Sequence, residues 1–241
     1  MKIIFLNAWG GKMKKELRGF FELHAPDTDL FCLQEASEHM RNLVREYLRD
    51  FNETTYPVRY RSAIERFDMA TYVRKTVPVR HSELAFHDGE RMSGMGICTE
   101  IEYRGNLLYV LNYGGISRPG KLDTPERIRQ SKKILAYYGT KQGPKILGGD
   151  FNVLPETRSI QMFIEHGYRE LVHEFAIPTT RNHLAWDRFP TKLLFSDYVF
   201  VSNDIEVKDF KVPDMEISDH LPLILECDPP PARIMGSSVG S

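Results

Sequence analysis

Net charge is almost absent from this chain: 32 lysines and arginines stand against 33 aspartates and glutamates, a formal −1 over 241 residues. No global basic field draws in nucleic acid, so any such contact needs a local patch. Cysteine is scarce as well. Cys32, Cys98 and Cys227 lie far apart in apolar, strand-like runs. An odd number without metal-like spacing argues against a disulfide framework and points to reduced, buried thiols in a cytoplasmic protein. Long apolar runs are missing too. The opening Met1-Lys2-Ile3-Ile4-Phe5-Leu6-Asn7 is too short for a signal peptide, and no segment is long enough to span a bilayer, so no membrane partner is expected. No internal repeat aligns and no linker divides the chain. A hydrophobic content of 41% with 27% charged residues suits one soluble, monomeric domain with a sizeable core. We place that domain at residues 1–227. The Pro- and Gly/Ser-rich stretch 228–241 reads as a disordered tail.

The most informative stretch is Gly148-Gly149-Asp150-Phe151-Asn152, preceded by Lys145-Ile146-Leu147. The apolar pair reads as the end of a buried strand, and the glycines let the backbone turn and approach a ligand. If the backbone stays extended, spacing of two puts Asp150 and Asn152 on one face and Phe151 in the core. A carboxylate beside an amide suits deprotonation of a water while charge grows on a phosphoryl oxygen.

Elsewhere, strands and helices interleave. Residues 2–6 and 29–33 read as apolar strands, and 12–24 and 37–50 as amphipathic helices. From 56 to 113 extended structure dominates, with Arg104-Gly105-Asn106 as a tight hairpin. Asp123-Thr124-Pro125-Glu126 carries a helix-start signature, and a further helix runs from Pro155 to about Glu165. Strands follow at 198–201, 205–212 and 223–226. The pattern is α/β or α+β, with sheets and helices packed outside them.

Apolar strands repeatedly end in a polar residue: Asn7, Glu35, Asn112, Asp150 with Asn152, Asp197, and Asp219 with His220. If these ends converge at one sheet edge, the carboxylates repel one another unless a cation lies among them. Oxygen ligands without clustered cysteines or histidines point to Mg²⁺ or Mn²⁺.

Five pieces carry a family resemblance: Leu6-Asn7-Ala8-Trp9, Leu33-Gln34-Glu35, Gly148 to Asn152, Ser196-Asp197-Tyr198-Val199, and Ser218-Asp219-His220-Leu221-Pro222-Leu223. In this order they resemble the endonuclease/exonuclease/phosphatase superfamily of metal-dependent phosphoesterases. The resemblance implies a four-layer α/β/β/α sandwich, two face-to-face mixed sheets flanked by helices. It implies hydrolysis of a P–O bond by in-line attack of water, with Glu35 as the principal metal ligand and Asn7 beside it. Asp150 resembles the residue that orients or deprotonates the water, and Asn152 the amide that stabilises the pentavalent centre. Asp197 and Asp219 resemble residues that bind a metal or orient a histidine. His220 resembles the histidine that contacts the scissile phosphate.

One departure concerns Asn112-Tyr113-Gly114-Gly115, where much of the family has Asn-x-His. Glycine stands at the place of a second histidine. Tyr113 substitutes for it, or the histidine has been replaced in this sequence, or activity is weak. Substrate-binding candidates are Asn112, Tyr113, Arg118 and Arg181. The segment from Gly114 to Lys121 fits a phosphate-holding loop and a solvated Pro-Gly turn equally well. Arg181 with Trp186, Arg188 and Phe189 mixes cations and aromatics, which suits stacked bases, though the aromatics also fit a core. The readings in play are a phosphodiesterase on a nucleic-acid-like ester, a phosphomonoesterase or lipid-headgroup esterase, and an inactive phosphate-binding relative.

Overall fold

Apolar side chains fill both faces of the first strand, β1 (Lys2–Asn7). Ile3 and Phe5 enter a core shared with a second sheet, whereas Ile4 and Leu6 join Leu17, Phe20 and Phe21 of α1 (Lys14–His24). A strand covered on both faces needs a layer on each side. The computed structural model describes residues 1–58, 67–86, 94–117, 120–187 and 192–230.

After α1 come β2 (Leu30–Gln34), α2 (Glu38–Val44), β3 (Phe51–Val58), β4 (Phe67–Arg74) and β5 (Val79–Ala85). β6 (Met95–Tyr103) and β7 (Asn106–Gly114) precede α3 (Pro125–Gly139), β8 (Lys145–Asp150) and α4 (Arg158–Glu165). The chain continues through β9 (Tyr168–Glu170), α5 (Leu171–Glu174), α6 (His183–Trp186), β10 (Asp197–Ser202), β11 (Glu206–Lys211) and β12 (Leu223–Asp228). Two six-stranded mixed sheets result, in the orders β11-β12-β1-β2-β4-β3 and β5-β6-β7-β8-β10-β9. They lie face to face: a Cβ on Gly148 would stand 2.7 Å from the ring of Phe5. α1 and α2 cover the first sheet, and α3 and α4 pack together on the second. This is the four-layer sandwich that the resemblance implies.

Strand direction decides where the polar ends go. β1 and β2 are parallel, as are β7 and β8, so Asn7, Gln34 and Asp150 leave their strands at one edge. β10 is antiparallel to β8 with Asp197 opposite Asp150, and β12 is antiparallel to β1 with Leu223 opposite Phe5. The beginnings of β10 and β12 therefore join the same edge.

Three local readings need correction. The helix expected over 37–50 ends at Val44, and tighter turns carry the chain into β3, whose first residue Phe51 pairs with Arg74. β3 itself, rich in polar residues, shows no strand pattern in the sequence. Backbone is not extended through Asn152: β8 stops at Asp150, and Asn152 has φ 57°. The domain's last strand reaches Asp228, while residues 231–241 of the expected tail lie outside the described residues. Cys32, Cys98 and Cys227 are free and buried, and burial pushes the thiols of Cys98 and Cys227 up to about 12. No helix among the described residues is long and apolar enough to cross a membrane.

Candidate active site

The shared edge opens into a cavity of about 440 Å³. Glu35, Asp150, Asn152, Arg181, Asp219 and His220 line it together, so most of the residues singled out from the sequence meet in one place. Asn7 and Asp197 stand just behind its wall and touch it through their neighbours.

Asp150 is the hub. Its Oδ1 accepts from the Ser196 hydroxyl at 2.5 Å and from the Asn152 backbone N–H at 3.0 Å. Its Oδ2 accepts from the side-chain amides of Asn7 and Asn152, each at 3.0 Å. A carboxylate offers about four lone-pair positions, and all are taken. Burial works against the charge, but His220, Lys121, Ser196 and Arg181 together hold the Asp150 carboxyl below its ordinary value. The pair expected on one face of a strand is thus joined by a tight turn. An asparagine tolerates the left-handed backbone that this needs.

Asp197 is 1% exposed, and both its oxygens lie 2.9 Å from Nδ1 of His220. It orients the ring and leaves Nε2 towards the cavity, 3.8 Å from Asp150 Oδ2 and 4.0 Å from Asp219 Oδ1. Burial and Arg181 push His220 down, yet Asp197, Asp150 and Asp219 outweigh them and hold it above its ordinary value. The Arg181 guanidinium donates to the carbonyl and to Oδ2 of Asp219, at 3.0 and 2.9 Å. It is in the site as expected, but part of its charge is spent on Asp219.

Glu35 is different. Strand alternation would send it to the helix side with Leu33, but its φ of 49° ends the strand and the side chain lines the cavity. Burial, aided by Asp150 and Asp219, raises its carboxyl above the ordinary range against the pull of His220 and an Asn7 hydrogen bond. Asp219 has Arg181, Asp197 has His220 and Asp150 has four donors, whereas Glu35 has no lysine or arginine against it among the described residues. The unmet demand for positive charge therefore sits at Glu35. Carboxylate oxygens are the kind of ligand that a hard divalent cation takes; of its neighbours, Asn7 Oδ1 accepts from the Trp9 N–H at 3.0 Å and Asp219 Oδ2 accepts from Arg181. Ligand atoms of Asp150, Asp197 and His220 also lie within 4.8 Å of one another. In that group the Asp197 oxygens pair with His220 Nδ1 and the Asp150 oxygens accept four hydrogen bonds, while His220 Nε2 makes none.

Two substrate candidates are corrected. Asn112 is 0% exposed. Its Oδ1 accepts from Gln34 at 2.6 Å, and its Nδ2 donates to the Leu33 and Ala70 carbonyls and the Thr71 hydroxyl. It bolts the two sheets together and has nothing left for a ligand. Tyr113 is buried, its ring packed on Phe151 at 4.8 Å, because alternation turns it to the opposite face from Asn112 and Gly114. It does not replace a histidine. Arg118, Arg188 and Phe189 lie outside the described residues.

Three more residues, named in the sequence only as part of a loop, a motif or a mixed patch, border the same cavity. Lys121 lines the cavity and donates to Ser196 Oγ at 2.6 Å and Asn152 Oδ1 at 3.2 Å. Burial lowers its pKa, with Asp150 opposing. Trp9 and Trp186, the two tryptophans of the chain, both line the cavity. The Trp186 indole is held by the Leu193 carbonyl at 3.1 Å. The loop from Gly114 to Lys121 was the one signal in the sequence for the lysine.

Residues 4–220 match the Endonuclease/Exonuclease/phosphatase family. The chain belongs to that family. As an endonuclease/exonuclease/phosphatase protein it carries a phosphoester-hydrolase scaffold. Solved structures of the same fold include an endonuclease/exonuclease/phosphatase from Bacteroides vulgatus, at 12% identity and TM-score 0.76, covering 94% of this chain and 98% of that one. D. rerio TDP2 complexed with a single-strand DNA product is similar at 15% identity and TM-score 0.75, covering 95% and 98%. A Bacteroides thetaiotaomicron mannosyl-6-phosphatase is similar at 18% identity and TM-score 0.67, covering 95% and 99%. No curated protein matches the chain in sequence.

Proposed function

We propose that this chain is a divalent-metal-dependent phosphodiesterase. The observation that carries the reading is a single cavity in which Asp150, Asn152 and His220 face a carboxylate, Glu35, that no lysine or arginine pairs with among the described residues. Glu35, with Asn7 and Asp219, would hold Mg²⁺ or Mn²⁺, which supplies Lewis-acid polarisation of a non-bridging phosphoryl oxygen.

The remaining chemistry belongs to the chain. As the substrate enters, the Asn152 amide turns from Asp150 Oδ2 to a phosphoryl oxygen. That movement frees a lone pair on Asp150 for the attacking water. The water oxygen bonds to phosphorus, one water proton passes to Asp150, and the bond to the ester oxygen breaks. His220, its Nδ1 oriented by Asp197, gives its Nε2 proton to the departing oxygen. Asp219 keeps Arg181 beside that ring.

An apolar wall of Trp186, Ala185 and Leu193, with Trp9 also lining the cavity, offers a surface to the second substituent of a diester. Lys12 lies over the Trp9 ring at 4.3 Å and Lys192 over Trp186 at 4.1 Å, and neither lysine lines the cavity. Both indoles border the cavity, and aromatic lining of this kind suits a planar group such as a base, which favours a nucleotide-like ester. The second reading, a phosphomonoesterase, is favoured by two cations at the cavity, Lys121 and Arg181, which suit a dianion.

Hydrolysis of bis(p-nitrophenyl) phosphate with Mg²⁺ or Mn²⁺ tests the reading. We expect turnover that EDTA abolishes, and a faster rate on the diester than on p-nitrophenyl phosphate. The opposite preference selects the monoesterase. No hydrolysis of any phosphoester with either metal defeats both.

A further inference from the structure

Position 114, where the resemblance implies a second histidine, is a glycine and carries no side-chain donor. Gly114 sits opposite Asp150 in the β7–β8 pair, so a side chain there would point to the same face as Asp150. A Cβ at 114 would lie 3.4 Å from the sulfur of Met69, which is 1% exposed and clusters with Met95 and Ile97. That is ordinary van der Waals contact, and the described atoms within 4 Å of it all belong to Met69.

The following loop brings a cation to the same hub from another direction. Gly115 passes so close over Phe151 that a Cβ would stand 2.2 Å from the Phe151 carbonyl oxygen, and its N–H donates to the Asp150 carbonyl at 2.6 Å. Farther on, the Arg127 guanidinium, 3% exposed, donates to the carbonyls of Ile116, Gly120 and Leu122. The Lys121 carbonyl accepts from the Leu154 N–H at 3.0 Å. These ties hold the backbone on both sides of Lys121. Its ammonium is then fixed by Ser196 and Asn152, both of which also bond to Asp150. A lysine has three N–H donors, and two are accounted for. The third belongs to a side chain that lines the cavity.

We propose that Lys121 is a catalytic residue: its ammonium contacts the phosphoryl oxygens and supplies the positive charge that position 114 lacks. The inference rests on the phosphoesterase reading above. The lysine keeps its protons throughout. It stabilises charge that grows on the oxygens as the water–phosphorus bond forms and the ester bond breaks. Its tie to Asn152 also means that the amide turns away from Asp150 under the guidance of a fixed cation.

The test uses the full chain with Mn²⁺ and bis(p-nitrophenyl) phosphate. Lys121→Met keeps the length of the side chain without its charge. We expect kcat to fall about 10²- to 10³-fold, as on removal of one oxyanion donor, while Mn²⁺ affinity and Tm stay near wild type. Lys121→Arg should retain most of kcat, and methylammonium should restore part of the rate of Lys121→Ala. Wild-type kcat in Lys121→Met overturns the proposal. So does a loss accompanied by a lowered Tm that neither arginine nor methylammonium recovers, because that marks a structural post. Calorimetry with inorganic phosphate and Mn²⁺ needs no turnover. Weaker phosphate binding by Lys121→Met is expected, and unchanged affinity overturns the proposal. Absence of turnover in the wild type, with phosphate binding still dependent on Lys121, counts against the phosphoesterase reading and leaves the lysine contact in place.

Discussion

Glu35 sits in a left-handed backbone conformation, φ 49°, with burial and two neighbouring carboxylates raising its pKa. Both features cost folding energy, of the kind kept at functional sites. Removing the charge therefore has opposite effects on stability and on binding. Glu35→Gln is expected to raise the Tm of the metal-free chain by roughly 2–4 °C, the size of a ~1 kcal/mol gain in a chain this long. The same variant should lose the Tm increase that Mn²⁺ gives the wild type. Scanning fluorimetry with and without Mn²⁺ reads both. A Tm below wild type in EDTA would contradict the account. Asn112 is the converse case. Asn112→Ala takes the acceptor from one Gln34 N–H, leaving that amide only the Cys32 carbonyl, and empties a junction between sheets, so a loss of about 3 kcal/mol in urea unfolding is expected. A change below about 1 kcal/mol would show that the junction matters little. From the sequence, Asn112 and Glu35 look alike, each polar after an apolar run. Only the neighbour across the sandwich shows that one is spent and the other is not.

Between β7 and α3, Gly115 and Lys121 both reach the Asp150 hub. A methyl group at position 115 would collide with the Phe151 carbonyl, next to Asp150 and Asn152. Gly115→Ala should therefore cost about 1–3 kcal/mol and lower kcat as well, since the clash falls on the backbone that carries Asp150 and Asn152. Unfolding curves and steady-state rates on the same preparation check it; normal kcat in a destabilised variant would uncouple the loop from the site. At the start of α3, the Thr124 hydroxyl accepts from the Arg127 N–H at 3.2 Å, so Thr124→Ala should cost about 1 kcal/mol. Helix α3 and the Arg104-Gly105 hairpin turn, with both residues at positive φ, were legible because caps and turn residues act over a few positions. β3 was not legible, since a strand rich in polar residues is specified by pairing with β4 more than by its own pattern. The overlong reading of α2 has the same cause: β3 needs the chain back at Arg74, and helical periodicity alone carries no such demand.

At the scale of the whole molecule, the edge of the sandwich holds more negative than positive charge, and a bound cation should stabilise the fold itself. At about 100 times its dissociation constant, Mn²⁺ is expected to add ~2.7 kcal/mol, or roughly 5–10 °C in Tm, reversible with EDTA. A Tm indifferent to Mg²⁺ and Mn²⁺ at millimolar concentration would remove the metal from the proposal. Composition, the strand-end carboxylates and five ordered motifs were enough for the sequence to determine the sandwich and the Asp150–Asn152–His220 part of the cavity, because apolar patterning and short motifs act locally along the chain. The tertiary structure alone decided that Asn112 and Tyr113 are buried on opposite faces of β7, that Glu35 turns out of its strand into the cavity, and that Lys121 reaches Ser196 across 75 positions. Those outcomes depend on which side of a strand a residue leaves and on what stands opposite it, and neither is written in the order of the residues.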